Sequence, residues 1–399
     1  MIQTNKNLLL CILLTLFFFI KPSLTHNEVE KYNKVIYNNN ALPIHYISEE
    51  EKKKIKEQLD DLAFISGGGG HTISDFSNFY NQLTPLEKEY YDTIVAASKE
   101  PVPSLEITIT YDDSKNKLDM DEFGDELLSL SINVFSIIIM EHPELWWIGW
   151  FTYYYYYYYN SYIHEITYNM IRDDETSRFR EYNAQSIASI NKKIEMVKND
   201  IMEKISKLNL TTDYAIIRYI HDYLIIRNTY LLDESRLHIR SLYGSMVENT
   251  CVCAGYAEAF QYMAQQYNIE CIKGLSMTHE WNYVKLNNNW YVMDLTWDDH
   301  YTYEKGTNAV ISGPTGYGFD QDIRTDYFLA GTEYVEKNES DGEHSLVYFY
   351  YIGYTCFDFP PISESRYIPT EEEEEEVLRM RESFAESYLS VTSCNKYFQ

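Results

Sequence analysis

The sequence predicts an α+β protein in which a cysteine-bearing helix is followed by an antiparallel hairpin, and three observations carry that reading. After Cys253 the apolar residues Tyr256, Phe260, Met263 and Tyr267 recur at helical spacing. Farther on, Trp281 to Leu286 and Trp290 to Thr296 are rich in strand formers and flank Asn287-Asn288, a pair suited to a tight turn with positive φ at both positions. Cys253, His279 and Asp294 occur in that order along these elements.

The remaining elements follow along the chain. Residues 1–25 read as a secretory signal, with Lys6 ahead of an apolar run from Leu8 to Ile20, broken only by Thr15, and small residues near Ser23 to Thr25. That run falls short of the ~20 residues that span a bilayer, so a secreted, extracellular chain without stable membrane insertion is expected. The polar stretch from Glu28 to Lys56 reads as helical, Gly67 to Gly70 as a flexible loop, and a helical piece resumes at Ser74. Leu105 to Tyr111 alternates apolar and polar residues as a strand does, and Glu122 to Met140 is an apolar-rich helix ended by His142-Pro143. In the tyrosine run from Tyr153 to Tyr159, strand alternation would bury every second ring, with a sugar-stacking platform as the alternative.

Ser186 to Leu208 and Asp213 to Asn228 read as helices, the second opened by the capping residues Thr211-Thr212-Asp213. Within the second, His221 is given a packing or capping role. Ile269 to Gly274 is a short strand. Ser363 to Glu376 ends in consecutive glutamates, read as a solvated helix start or linker; uninterrupted carboxylates repel and do not enforce a metal geometry. The chain thus divides into a signal (1–25), an N-terminal mixed helix/strand extension (26–185), a domain carrying the cysteine segment (186–345) and an acidic C-terminal segment (346–399).

A formal charge of −28 excludes phosphate-backbone binding as a main activity and disfavours anionic membrane surfaces. Of six cysteines, Cys11 leaves with the signal, so Cys251, Cys253, Cys271, Cys356 and Cys394 form an odd set with at least one unpaired thiol or a bridge between chains. Cys356 with Cys394 and Cys251 with Cys271 are the pairings left open. Asn209-Leu-Thr and Asn338-Glu-Ser are glycan acceptor patterns. Cys251 and Cys253 lie too close in sequence for the C-x₂₋₄-C pairs of structural zinc sites, and no metal or cofactor is called for.

The three site residues suit nucleophilic catalysis. With Asn287-Asn288 as the turn, Leu286 lies opposite Asn289 and Trp281 opposite Asp294; His279 is then a diagonal neighbour of Asp294 on the same face, roughly 7–8 Å away between backbones. An ordinary thiol near pKa ~8.5 is only slightly ionised at neutral pH, so an adjacent imidazolium and a helix N-terminus are needed to hold the thiolate. A carboxylate fixes the tautomer of that imidazole and favours its charged form. The assignment is Cys253 as nucleophile, His279 as acid and base, and Asp294 as orienter. The backbone N–H of Cys253 is the natural oxyanion donor, with Tyr256, Asn282 and Tyr243 as candidates for help there or for packing, and Trp281 and Trp297 wall the site.

Val252-Cys-Ala-Gly-Tyr-Ala-Glu-Ala-Phe260, His279-Glu-Trp-Asn-Tyr-Val-Lys-Leu286 and Trp290-Tyr-Val-Met-Asp-Leu-Thr-Trp-Asp-Asp299 resemble the microbial branch of the transglutaminase-like superfamily. Ile220-His-Asp-Tyr-Leu224, Asn228-Thr-Tyr230 and Asp326-Tyr-Phe-Leu329 extend the resemblance, which spans Asp213 to Ala330, and His142-Pro-Glu-Leu-Trp-Trp147 continues it more weakly. It implies a papain-like α+β core, a cysteine helix packed on an antiparallel sheet that carries the histidine and aspartate, and the triad Cys253, His279 and Asp294. Glu280, after the histidine, and Ala254, after the cysteine, depart from the family pattern, and strand alternation turns Glu280 away from the site. Cys251 is unusual there and is read as a buried thiol ahead of a regulatory disulfide partner.

What the resemblance implies is a thiol-dependent acyl transfer on amide bonds of a protein or peptide, cell-wall peptides included. Capture of the thioester by an amine gives cross-linking, and capture by water gives hydrolysis; both stay open. The alternative is a non-catalytic extracellular module on the same fold that holds protein or polysaccharide.

Overall fold

The computed structural model describes residues 33–38, 76–148, 152–158, 161–170, 182–232, 236, 238–276, 279–299, 301–303, 310–312, 323–338, 344 and 357–381. The signal segment, the Gly67 to Gly70 run, Cys356, Cys394 and most of the second glycan pattern lie outside the described residues. The architecture is mixed helix and sheet, an α+β arrangement. Two compact units make up the chain, one from 1–41, 85–135 and 147–184, the other from 42–84, 136–146 and 185–399.

The first unit contains strands β1 (Asn33–Asn38), β2 (Glu106–Asp112), β3 (Thr152–Tyr157) and β4 (Ile163–Asn169), joined in the order β1-β3-β4-β2 with all pairs antiparallel. Helix α1 (Pro85–Ser98) and most of helix α2 (Met120–Glu141) accompany them. Alternation decides which side chains of β2 are inside: Ile107, Ile109 and Tyr111 are buried and their neighbours exposed. The tyrosine run obeys the same rule, burying Tyr153, Tyr155 and Tyr157 while Tyr154, Tyr156 and Tyr158 are half-buried. Inside, the Phe123 ring lies edge-on to Tyr111 and Tyr155 at centroid separations of 5.0 and 5.1 Å.

One expectation is corrected here. Asn33–Asn38, inside the stretch read as helical, is a strand, its backbone paired with Tyr157 through Thr152. The β-branched Val35-Ile36 pair favours a strand, and the free edge of the tyrosine strand supplies backbone partners that a local helix propensity does not outweigh. Helix α2 is long and apolar enough to cross a membrane, yet 67% of its most apolar window is buried inside the protein.

The second unit contains helices α3 (Ala184–Lys207) and α4 (Asp213–Arg227), strands β5 (Thr229–Tyr230) and β6 (Thr250–Cys251), helix α5 (Cys253–Gln265), and strands β7 (Cys271–Leu275), β8 (Glu280–Leu286) and β9 (Asn289–Met293). It continues through a single-turn helix α6 (Leu295–Asp298), the paired strands β10 (Tyr301–Tyr303) and β11 (Val310–Ser312), helix α7 (Thr332–Asn338), and a last helical stretch over residues 371–381. Ile187, Ile190, Ile194, Val197, Ile201 and Ile205 form the buried stripe of α3 at spacings of three and four. Helix α4 is buried on nearly every face, so it carries apolar residues all round.

Thr212 caps α4 by accepting from the Ala215 amide at 3.3 Å. The carboxylate of Glu376 reaches the same end, accepting from the hydroxyls of Thr211 and Thr212 at 2.6 and 2.8 Å. The glutamate run is therefore a helix start, as read, but its sixth member is buried. A reciprocal pair opens it, in which the Thr370 amide donates to Glu373 and the Glu373 amide to the Thr370 hydroxyl.

Strands β7, β8 and β9 form an antiparallel sheet in that order, with α5 against it. Asn287 and Asn288 have φ of 48° and 64°, the two-residue turn expected, and Leu286 pairs with Asn289. The Asp326 to Leu329 segment leads to Ala330, which exchanges both backbone hydrogen bonds with Val292 at 2.9 Å and so closes over the edge of β9.

Helix α5 is brought close to β6 by the absence of a side chain at Gly255: a Cβ there would lie 2.4 Å from the Cβ and 3.0 Å from the Sγ of Cys251. Gly255→Ala is expected to destabilise the fold by about 1–3 kcal/mol through overpacking, checked by urea unfolding against the parent protein. A loss below the error of the fit would mean that β6 yields freely.

Candidate active site

Cys253 is the first residue of α5 and only 5% exposed. Val252 precedes it and offers no side-chain cap, so the backbone N–H groups of the first turn face the cysteine region without a competing side-chain acceptor from the cap residue. Their dipole favours negative charge at that end.

His279 stands at the entry to β8, its backbone held by Ser276: the Ser276 amide donates to the His279 carbonyl at 2.9 Å and the His279 amide to the Ser276 hydroxyl at 3.1 Å. Asp294 follows the last residue of β9. The register Asn282 to Met293 puts Trp281 level with Asp294, as the turn count requires, and the diagonal brings the two side chains together. His279 Nε2 lies 2.5 Å from Asp294 Oδ2, in a pair that is almost wholly buried. With Nε2 given to the carboxylate, Nδ1 is the ring nitrogen left for the thiol, and Cys253 is close enough to the ring to favour its charged form. The structure thus brings all three predicted residues together.

Asp294 does more than orient one ring. Its Oδ1 accepts from the amides of Thr296 at 2.8 Å and Trp297 at 3.1 Å, making it the cap of α6. Its Oδ2 accepts a second imidazole, Nε2 of His344, at 2.8 Å. His344 is packed by aromatic rings: Tyr327 stacks on it at 5.2 Å, and Trp281 and Trp297 meet it at 4.9 and 5.3 Å. Trp281 also stacks beside His279 at 5.9 Å, with Trp297 at 6.2 Å, so both tryptophans wall the site.

Burial is the largest influence on His279 and opposes its charged form, but the Asp294 charge and hydrogen bond, together with Cys253, raise its pKa well above the ordinary imidazole value. Burial likewise opposes ionisation of Asp294, and the two imidazoles outweigh it, holding the carboxyl far below the usual carboxylate range. The pair rests as an imidazolium beside a carboxylate.

A second buried network supports the first from beneath. His221 Nδ1 is 2.8 Å from Asp222, which also accepts from Arg218 at 2.8 Å, while His221 Nε2 is 3.2 Å from Asp298. Asp298 accepts in turn from the Tyr327 amide at 2.9 Å, and Asp299 from the Tyr256 hydroxyl at 2.6 Å. His221 is therefore a link between α4 and α6. The two adjacent aspartates are engaged by separate protein donors on different elements.

Other side-chain readings change. The Tyr256 hydroxyl is turned to Asp299, the Asn282 amide donates to the Ala257 carbonyl at 3.1 Å, and the Tyr243 hydroxyl donates to Glu248 at 2.7 Å, so these three serve neighbouring elements rather than a shared oxyanion pocket. Glu280 points away from the site, as strand alternation requires, and meets buried Lys273 at 3.1 Å; Glu258 approaches the same ammonium at 3.6 Å. Burial, aided by the Glu280 charge and opposed by Lys273, pushes the Glu258 carboxyl up to about 7. Cys251 and Cys271 are separate buried thiols, so the pairing between them is excluded: one lies on β6, paired with β5, and the other opens β7 in a different sheet. Burial raises both thiols.

Sequence reasoning missed His344. No motif surrounds it, and it lies 50 residues beyond Asp294, so no periodicity could connect the two.

No protein-family model matches this chain, and no curated protein does. Among solved structures, one titled "Crystal structure of a TGase" is similar at 10% identity and a TM-score of 0.24, covering 39% of this chain and 46% of that one. The chain spans less than half the length of that structure.

Proposed function

We propose that the protein is a secreted transglutaminase-like acyl-transfer enzyme with a papain-like core, acting on amide bonds of proteins or peptides through a thioester on Cys253. The observation that carries this reading is the buried His279 ring, fixed at 2.5 Å by Asp294, with Cys253 at the start of α5 close enough to favour its charged form. Secretion is read from the N-terminal apolar run and its flanks.

With the proton held on His279 as the imidazolium, the Cys253 thiolate attacks the amide carbonyl carbon. The tetrahedral oxygen gains charge near the first turn of α5, whose N-terminal end favours negative charge. As the C–N bond breaks, His279 returns the proton to the departing nitrogen, so an amine or ammonia leaves and a thioester remains. The imidazole then takes a proton from the acceptor, an amine or water, whose nitrogen or oxygen displaces the sulfur. Asp294 keeps the ring in the tautomer that both halves require. Amine capture yields a cross-link and water yields hydrolysis, and exclusion of water from the thioester decides between them.

The test is incubation of the protein with a glutamine-containing peptide and a labelled primary amine, reading ammonia, label incorporation and peptide cleavage together. Incorporation with ammonia release supports cross-linking. Ammonia or peptide release without incorporation supports hydrolysis. If no product forms and iodoacetamide labels Cys253 no faster than a model thiol, the enzyme reading falls and the non-catalytic module takes its place.

A further inference from the structure

We infer that His279 Nε2, Asp294 Oδ2 and His344 Nε2 form a site for a divalent cation of the zinc class. The three atoms lie within 4.8 Å of one another, and all three residues are buried, at 5%, 1% and 8% exposure. Two ring nitrogens converge on one carboxylate oxygen, at 2.5 and 2.8 Å. An acid–base role for His279 requires a single imidazole on that oxygen, and the second ring calls for its own account.

The surroundings fix the donors. Asp294 Oδ1 is held by the Thr296 and Trp297 amides, so Oδ2 alone faces the rings. His344 is clamped by the aromatic rings of Tyr327, Trp281 and Trp297.

Two imidazoles and one carboxylate make a three-ligand set with a fourth position open, a set that suits zinc and its first-row neighbours rather than calcium or magnesium. Ligand atoms around such an ion at ~2.0–2.2 Å stand roughly 3.3 Å apart, so entry requires the two hydrogen bonds to open by less than about 1 Å and the two ring nitrogens, up to 4.8 Å apart, to approach by about 1.5 Å or less. Each Nε2 must also give up its hydrogen. From a neutral ring it moves to Nδ1, and from an imidazolium it leaves to solvent. The cluster takes no sulfur, so Cys253 stays outside the ligand set.

Occupancy has a consequence for chemistry. With Nε2 on the cation, the Nδ1–H of His279 belongs to a neutral metal-bound ring, a much weaker acid than the imidazolium, so the departing nitrogen is left without its proton and the bound ion arrests the acylation step. This inhibitory effect rests on the proposed function, whereas the binding itself does not.

The test uses the full chain freed of metal, zinc titration by equilibrium dialysis, and cobalt(II) absorption. One zinc per chain is expected, bound more than about tenfold more weakly by His344→Ala and with parental affinity by Cys253→Ala. Cobalt(II) in the parent protein should give visible d–d bands without an intense thiolate charge-transfer band, a reading independent of any variant's folding. Substoichiometric zinc, parental affinity in a folded His344→Ala, or a thiolate band would overturn the site. Zinc binding as described with no acyl transfer by the metal-free protein would leave the site standing and sink the enzyme reading. Acyl transfer that persists at saturating zinc would overturn the inhibition.

Discussion

Cys253→Ala is expected to abolish turnover of a glutamine peptide, by about ten-thousandfold or more, while leaving the fold intact. The proposed reaction passes through a covalent bond to Cys253 sulfur, and the other thiols among the described residues, Cys251 and Cys271, are buried. Cys251 is the nearest other thiol in sequence, but it is wholly buried and its pKa is raised well above the ordinary thiol value, first by burial. The helix start needs nothing from the Cys253 side chain, because the cap residue is Val252 and the turn is held by backbone bonds, among them the Gly255 amide to the Val252 carbonyl at 2.9 Å. Alanine fits the space that cysteine vacates, so the stability change should be about 1 kcal/mol or less. Steady-state release of ammonia and a thermal melt of the same preparation check both halves. Turnover within about tenfold of the parent would remove Cys253 as nucleophile.

Asp294→Ala is expected to cost both activity and stability, because one side chain performs three tasks. Its Oδ2 carries both imidazoles and its Oδ1 caps α6. Removing a partner from a buried ion pair costs about 3–5 kcal/mol, and loss of the cap adds about 1 kcal/mol. Turnover should fall about ten-thousandfold, since burial then wins at His279 and the ring loses both its charge and its enforced tautomer. Asp294→Asn separates the tasks. Its carbonyl oxygen can still cap α6, so its melting temperature should fall less than that of the alanine variant, yet its turnover should fall as far, because an amide N–H₂ facing Nε2 demands the wrong tautomer. Equal melting temperatures for the two variants would show that the cap contributes nothing measurable, and a near-parental rate for Asp294→Asn would remove the orienting role.

How much of this was legible beforehand depends on how local each signal is. Asn287-Asn288 reads as a hairpin because a turn with two positive φ angles is a property of adjacent residues, and once the turn is placed, the parity of a strand puts His279 and Asp294 on one face. The helix start at Cys253 is equally local. By contrast, β1 was read as a helix because its partner, the tyrosine strand, lies more than a hundred positions away in the chain. Glu376 looked like one more solvated carboxylate in a run of six, and only its reach across 164 positions to Thr212 shows that it closes the start of α4. His221 looked like a packing residue and is in fact an ionic link from α4 to Asp298.

The sequence by itself determined the identities and order of Cys253, His279 and Asp294, the helix and hairpin that carry them, and the face that the histidine and aspartate share. These follow from helical period, strand parity and turn chemistry, which operate over a few residues. Tertiary structure alone decided that a second imidazole, His344, meets the same carboxylate oxygen, that Asp298 and Asp299 are tied to separate elements, and that Cys251 and Cys271 stay apart. Each of those depends on segments brought together by packing from distant parts of the chain, where no periodicity links one residue to the next.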